Sequence, residues 1–519
     1  MLERNCVPSA DRIRVAPFMQ KYFIKLPATD GRIPQKLFES TAVLPNGIRT
    51  VITEDGAIWL ANGNGITRLA AEGEYKLDRI SYFSAPRYLF DNNIRAMMAD
   101  GNGIWVATDG GVSHIWYESI TYEKKAAVYD CRILSRQSRH GFVSEPRFER
   151  EGDFERFTHE SADNDGLWTA MYAAGACYEY AVTGTEGSYN RAITTVKAVL
   201  SLMDVTGRPG YPARSFIVKG EKLPKDGFWI PCDDGSVIWK SDTSSDEIVG
   251  HVLIYLLAHE LLPDADIKAR TEKAIYDLCT HMMTNGRYLV DVTGKPTRWG
   301  KWSVEYFNGI GRCDSPLNAA EYLAAMKVGA YLTGEKAFED EYRKAAVEDG
   351  YADIMCEQLI RREEINFSDE ELCYLSYLPL ILLEEDEGLR AKFRTGMSQW
   401  WENIRREANP LWTYIYKLIA TDEPCDMEAA LWTLRRLPMD MRYTDAGIAN
   451  RADLEFEEDV DRFNKRQFKN LLPPDERRIM KWNGNPFVLE SGGNNLSEEP
   501  GTVYTFPYWL ARYYGFIEE

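Results

Sequence analysis

From residue 163 onward the chain is written in pairs of helical stretches, and this pattern constrains the fold more than any other feature. Apolar residues recur at helical spacing over 166–183, 189–204, 246–262, 265–284, 315–332, 335–362, 368–383, 387–406, 411–420, 427–437 and 505–514. Glycine closes several of them, as in Val182-Thr183-Gly184 and Tyr331-Leu332-Thr333-Gly334, where a left-handed residue ends a helix. Turns within a pair are short. Between pairs lie long polar and aromatic loops, 205–245, 285–314, 363–370 and 438–504. Short turns on one side and long loops on the other predict a mainly α fold: an (α/α)6 toroid or barrel over 161–519, with its site on the long-loop face. A superhelical solenoid is the rival, but the pairs share no fixed period.

Upstream, residues 1–40 read as an irregular arm with Pro8, Pro17, Pro27 and Pro34. A repeat follows over 41–120. Trp59 and Trp105, Gly65 and Gly111, and Ile66 and Val112 stand 46 residues apart. Each copy alternates apolar residues around glycine-rich turns, as antiparallel strands do. The copies resemble the two-component-regulator type of propeller repeat, but two copies cannot close a propeller. A small N-terminal β domain of two blade-like repeats is expected. Residues 121–160 read as a linker that also covers the next domain, with the basic run Arg132, Arg136, Arg139, His140 and Arg147 as a solvated surface rather than a binding patch.

A formal charge of -19 argues against nucleic acid or an anionic membrane as a partner. The nine cysteines are scattered without a CxxC pair, so neither a disulfide framework nor a zinc site is expected. Residues 1–14 have no apolar core of signal-peptide type, and no run is long and apolar enough to span a membrane. The expected location is cytoplasmic. No cofactor or metal is expected; carboxylate-rich loops could hold calcium, but none has EF-hand spacing.

Candidate site residues gather where the long loops run into helices. The stretch Trp239 to His251 is a polar loop feeding an apolar helix. It puts Asp246 and Glu247 in the first turn and His251 one turn further. Asp165 and Trp168 open an earlier helix, and Asp369 opens a later one with the same capped-acid layout. The loop 208–214 offers Tyr211 and Arg214. The loop 298–312 offers Trp299, Trp302, Tyr306, Asn308 and Arg312, with Asn318 and Glu321 on the helix after it. Flat rings suit pyranose faces, and amides and guanidinium groups suit hydroxyls and carboxylates. Each acid also has an ordinary role as a helix cap, and each arginine as a loop tie.

Several motifs together resemble one set of carbohydrate-active proteins. They are Asp163-Asn164-Asp165-Gly166-Leu167-Trp168-Thr169, Asp242 to Glu247 with Gly250-His251, and Leu317-Asn318 with Glu321. Lys481-Trp482-Asn483-Gly484-Asn485-Pro486, Pro507-Tyr508-Trp509-Leu510 and Arg512-Tyr513-Tyr514-Gly515 complete the set. Over 163–519 the chain resembles the rhamnosyl-glucuronate lyases acting on arabinogalactan-type glycans and related helical-toroid proteins. The resemblance assigns no catalytic residue, and the lack of a leader, a departure from secreted members, leads to the expectation of a small imported oligosaccharide rather than polymer.

Two reactions suit these residues. β-Elimination at a uronic acid needs a cation for the carboxylate, a base for the C5 proton and an acid for the leaving oxygen. Arg312 or Arg214, with His251 or Tyr306, could supply them. Hydrolysis, including removal of unsaturated uronic acids, needs paired carboxylates, for which Asp165, Asp246, Glu247 and Asp369 stand ready. Glycan binding without catalysis is the third class. Elimination is the leading expectation.

Overall fold

The computed structural model describes residues 11–45, 47–73, 76–232, 234–357, 365–421, 425–444, 450–451, 453–488 and 493–519. The end of the expected 335–362 helix and parts of the 363–370 and 438–504 loops lie outside these residues. The chain is mainly helical. Six inner helices, Asp165–Thr183, Ser245–Leu261, Ser315–Thr333, Phe367–Leu383, Pro410–Ile419 and Thr502–Tyr514, pack in that order, and the sixth returns to pack on the first. The second also touches the fourth, which pinches the ring. The inner helices are apolar around their whole circumference, so they bury every face. From Glu247 to Ala258, every residue of the second is buried.

Outer helices Glu186–Asp204, Ala265–Thr284, Lys336–Arg343, Glu387–Ile404 and Met427–Arg436 each follow an inner helix and pack back on it. Another outer helix, Tyr122–Arg136, covers the sixth inner helix and precedes the ring in sequence. It lies inside the span read as a linker. Its basic residues hid an apolar stripe of Tyr122, Ala126, Tyr129 and Ile133, all buried, and Thr121 caps its start by accepting from the Lys124 N–H. Lys125 is buried too. Its amino group donates to the carbonyls of Leu434, Arg435 and Leu437, at the carboxyl end of Met427–Arg436, and burial lowers its pKa well below the ordinary 10.5.

The expected helix 335–362 breaks into Lys336–Arg343, a π-helical turn Lys344–Glu348 and Tyr351–Ile354. Gly350, at φ 76°, forces the break, because a left-handed residue cannot continue a right-handed helix. Close approach explains the two tightest inner seams. A Cβ on Gly250 would stand 2.7 Å from the Leu167 Cα, and one on Gly175 would stand 3.0 Å from the Phe506 Cα. Gly250→Ala is therefore expected to cost about 1–3 kcal/mol, read as a lower urea midpoint at unchanged slope.

The repeat folds into two antiparallel sheets. Strands Ala42–Val43, Arg49–Ile52, Ile58–Ala61, Ile66–Leu69 and Ile80–Phe83 form a meander. Strands Ile94–Asp100, Gly103–Thr108 and Val112–Ile120 form the second sheet. Its fourth strand, Phe18–Leu26, comes from the segment read as irregular and pairs in continuous register, Val112 with Leu26 through Ile120 with Phe18. The prolines at 17 and 27 flank this strand and do not interrupt it. Trp59, Phe83, Ile104 and Ile115 share the core between the sheets, while Trp105 lies on the far face with Leu26 and Leu37. Cys177, Cys279 and Cys373 sit as buried thiols in the helical core. No helix among the described residues is long and apolar enough to cross a membrane.

Candidate active site

Three inner helices begin around one cavity of about 770 Å³. Ser245 and Asp246 come from the second helix, Leu317 and Asn318 from the third, and Ser368, Asp369 and Leu372 from the fourth. Asn164, Arg214, Trp299, Tyr306, Asp314, Asp461 and Arg462 complete the wall. Carboxylates in first turns are favoured by the helix dipoles, so the sequence concentrates acid where these helices converge.

The loops are tied before they reach the cavity. Asp242 takes a left-handed conformation, φ 56°, between strand Val237–Lys240 and the second inner helix. Its carboxylate accepts from the Arg298 N–H at 3.0 Å, and its carbonyl accepts from Arg214 at 3.3 Å. Arg214 also donates to the Asp163 carbonyl at 2.8 Å and the Asn164 side chain at 2.7 Å, stapling three loops. The Asn318 amide donates to the Lys301 carbonyl at 3.1 Å, and the Trp302 indole N–H donates to Glu321 at 2.8 Å. These bonds hold strand Pro296–Lys301 so that Trp299 stands 51% exposed on the cavity rim.

Burial shapes the acids. The Asp369 carboxyl is pushed up to about 6, first by burial and then by Asp314 and Asp246, against the Asn366 amide that donates to it at 2.7 Å. Burial also raises Asp314. Glu321, behind the wall, is pushed up to about 8 by burial, despite its bond from Trp302. Among the described residues, no group of three or more His, Cys, Asp or Glu is placed to hold a metal ion.

The structure gathers Asp246, Tyr306, Arg214, Trp299, Asn318 and Asp369 at this cavity. Trp168 lines a neighbouring one. The remaining candidates lie elsewhere. His251 is fully buried, with Nδ1 2.6 Å from the Tyr255 hydroxyl. Glu247 is fully buried with its carboxyl 3.9 Å from His251, yet burial holds the acid protonated and the imidazole neutral, so they form no ion pair. These two lie on the side of the helix turned to the first inner helix and the core, away from the face that carries Asp246. Asp165 is buried against Arg139 at 2.8 Å. Tyr211 is buried with its hydroxyl 3.0 Å from Ser241, and Trp302 is buried against Glu321. Arg312 is exposed and pairs with Glu357, and Asn308 is exposed.

Burial alone takes the His251 imidazole down to about 3 from 6.5. The unfolded chain therefore takes up this proton first. The contribution is fully present above pH 6.5 and is lost as pH falls toward 3. His251→Phe is expected to flatten this part of the fall in urea midpoint with pH relative to the parent chain.

Asp314, Asp461 and Arg462 carried no local signal. Asp314 precedes a helix without capping it, and Asp461 and Arg462 sit at the tip of an acidic hairpin, Phe456–Val460 with Arg466–Phe468. The loops that carry them bring them to the cavity.

No family model and no curated protein matches the sequence. Among solved structures the chain is similar to the crystal structure of a family 76 glycoside hydrolase from a bovine Bacteroides thetaiotaomicron strain. The identity is 8%, over 90% of this chain and 98% of that chain, with a TM-score of 0.42.

Proposed function

We propose that the chain is a glycoside hydrolase acting on an oligosaccharide within an (α/α)6 ring, and that Asp369 and Asp246 are its acid and its second carboxylate. One observation carries this reading: two carboxyl groups open the second and fourth inner helices, which touch, in one cavity, and Asp369 is pushed up to about 6. Glycoside hydrolysis requires one carboxyl that keeps its proton and another that does not. Asp369 gives its proton to the glycosidic oxygen as the C–O bond breaks. Asp246 accepts the proton of the attacking water, or attacks the anomeric carbon itself. Trp299 offers a face for a sugar ring, and Tyr306 and Asn318 offer hydrogen bonds to hydroxyls. No cofactor is invoked.

β-Elimination remains the second reading, supported by Tyr306, Arg214 and Arg462 in the same cavity. Arg214 already donates to Asp163, Asn164 and Asp242, so elimination would rest on Arg462 to meet the substrate carboxylate. Incubation with a panel of neutral and uronate-containing oligosaccharides separates the readings. New reducing ends without ultraviolet absorbance support hydrolysis, and a new conjugated-enoate absorbance supports elimination. Binding without turnover supports a glycan-binding protein and defeats both.

A further inference from the structure

A second cavity, of about 490 Å³, opens at the first turns of the first and sixth inner helices. Asn164 belongs to the walls of both cavities, so a single residue stands between them. Trp168 lines the second cavity, with the Lys481 ammonium 5.5 Å from its ring centre. That ammonium lies 2.8 Å from Glu145. Glu499 is almost wholly buried and takes a hydrogen bond from the Tyr443 hydroxyl. An aromatic ring beside a fixed ammonium and two carboxyl groups is a set that recognises sugar hydroxyls.

Charge narrows the ligand. Each cavity is lined by four Asp or Glu side chains against two Arg or Lys. Even with Asp369 holding its proton and Glu499 pushed up to about 7 by burial, acids outnumber cations in both, so a chain of uronates is disfavoured, whereas hydroxyls find donors and acceptors in both. Either volume alone is of the size that holds a small ligand, so one sugar does not account for the two together. Glu371, buried on the fourth inner helix, interacts electrostatically with Asp246 on one side and with Lys481 and Glu499 on the other, so the cavities share one electrostatic wall.

We infer that the substrate is a neutral oligosaccharide chain running from Trp299, past Asp246 and Asp369, across Asn164 to a distal subsite of Trp168, Lys481, Glu145 and Glu499. This rests on the hydrolase reading. Cleavage is then internal to a chain, and binding in the distal subsite is spent on the transition state.

The test follows kcat/KM for neutral gluco- and manno-oligosaccharides from disaccharide to hexasaccharide, beside matched uronate-containing chains. The neutral series is expected to climb with length by about tenfold, the effect of roughly 1.4 kcal/mol of added transition-state binding. Trp168→Ala is expected to lower the value for long chains about tenfold more than for the shortest chain cleaved, and Trp168→Phe to restore most of the climb. A flat series, or a climb that survives in Trp168→Ala, overturns the distal subsite while leaving hydrolysis standing. Preference for the uronate chains overturns the neutral class. Failure to cleave any chain overturns the hydrolase reading itself.

Discussion

Asp369→Asn is expected to lower kcat by about 10²–10⁴-fold on an unactivated oligosaccharide, the usual worth of a positioned general acid. Loss should be far smaller on an aryl glycoside whose leaving group departs without a proton, and Asp246→Asn should impair both substrates alike. The pH profile gives an independent reading. Asp369 must hold its proton, and its carboxyl is pushed up to about 6, chiefly by burial. Its protonated fraction falls as pH rises through that value, so the parent enzyme should lose activity on the alkaline side and Asp369→Asn should lack this limb. Unfolding would not explain the loss of activity in Asp369→Asn. A carboxyl with a raised folded value contributes stability below its unfolded value of 3.8 and loses it as pH rises through about 6. At neutral pH the neutral amide is then expected to raise the urea midpoint or leave it unmoved. Full activity on unactivated chains in Asp369→Asn would remove the acid from the mechanism.

The helical pairing was legible because it is written locally: apolar spacing, closing glycines and long loops all act within one or two turns. The same locality misled at Tyr122–Arg136, where a run including Arg132 and Arg136 gave a basic surface to a helix whose apolar stripe packs on the sixth inner helix, far along the chain. It also misled at Phe18–Leu26, a strand that exists by pairing with Val112–Ile120. At the site, position within the first turn separates the acids. Asp246 and Glu247 are neighbours in sequence, but successive helical residues point about a quarter-turn apart. One lines the cavity and the other is fully buried. Periodicity places a residue on a helix. Which side faces the ring axis depends on partners such as Leu167, which meets the second inner helix at Gly250. His251 reads as catalytic by composition, yet its helix is buried on every side, so the imidazole has a hydroxyl partner and no solvent.

Asp475→Asn is expected to cost about 3–5 kcal/mol, because it strips the anion from a buried and a partly buried cation. Asp475 joins the β sheets to the helices. One oxygen meets Lys21 of strand Phe18–Leu26 at 2.5 Å, and the other meets Arg436 of helix Met427–Arg436 at 2.9 Å. Lys21 and Asp475 are 7% and 5% exposed. Burial alone would raise Asp475, but Arg436 and Lys21 outweigh it and hold the carboxyl far below its ordinary 3.8. Burial would lower Lys21 likewise, and Asp475 with Tyr88 and Tyr117 reverses that. The stability carried by Asp475 is therefore fully present above 3.8 and is lost as pH falls toward the depressed value. In Asp475→Asn the charge on Lys21 keeps the rings of Phe83 and Tyr88, at 4.5 and 5.1 Å, and the weaker pull of Glu476, which do not replace a carboxylate in contact. Arg436 keeps Asp78 at 2.8 Å, so the larger share of the loss falls on Lys21. Removing both partners in Lys21→Met/Asp475→Asn should therefore cost less than Asp475→Asn alone, since an apolar stem replaces the stranded ammonium. Urea unfolding of the three chains decides it. A single-variant loss below about 1 kcal/mol, the level of an exposed pair, would mean that water reaches this junction and that the sheets are held by their shared apolar core instead.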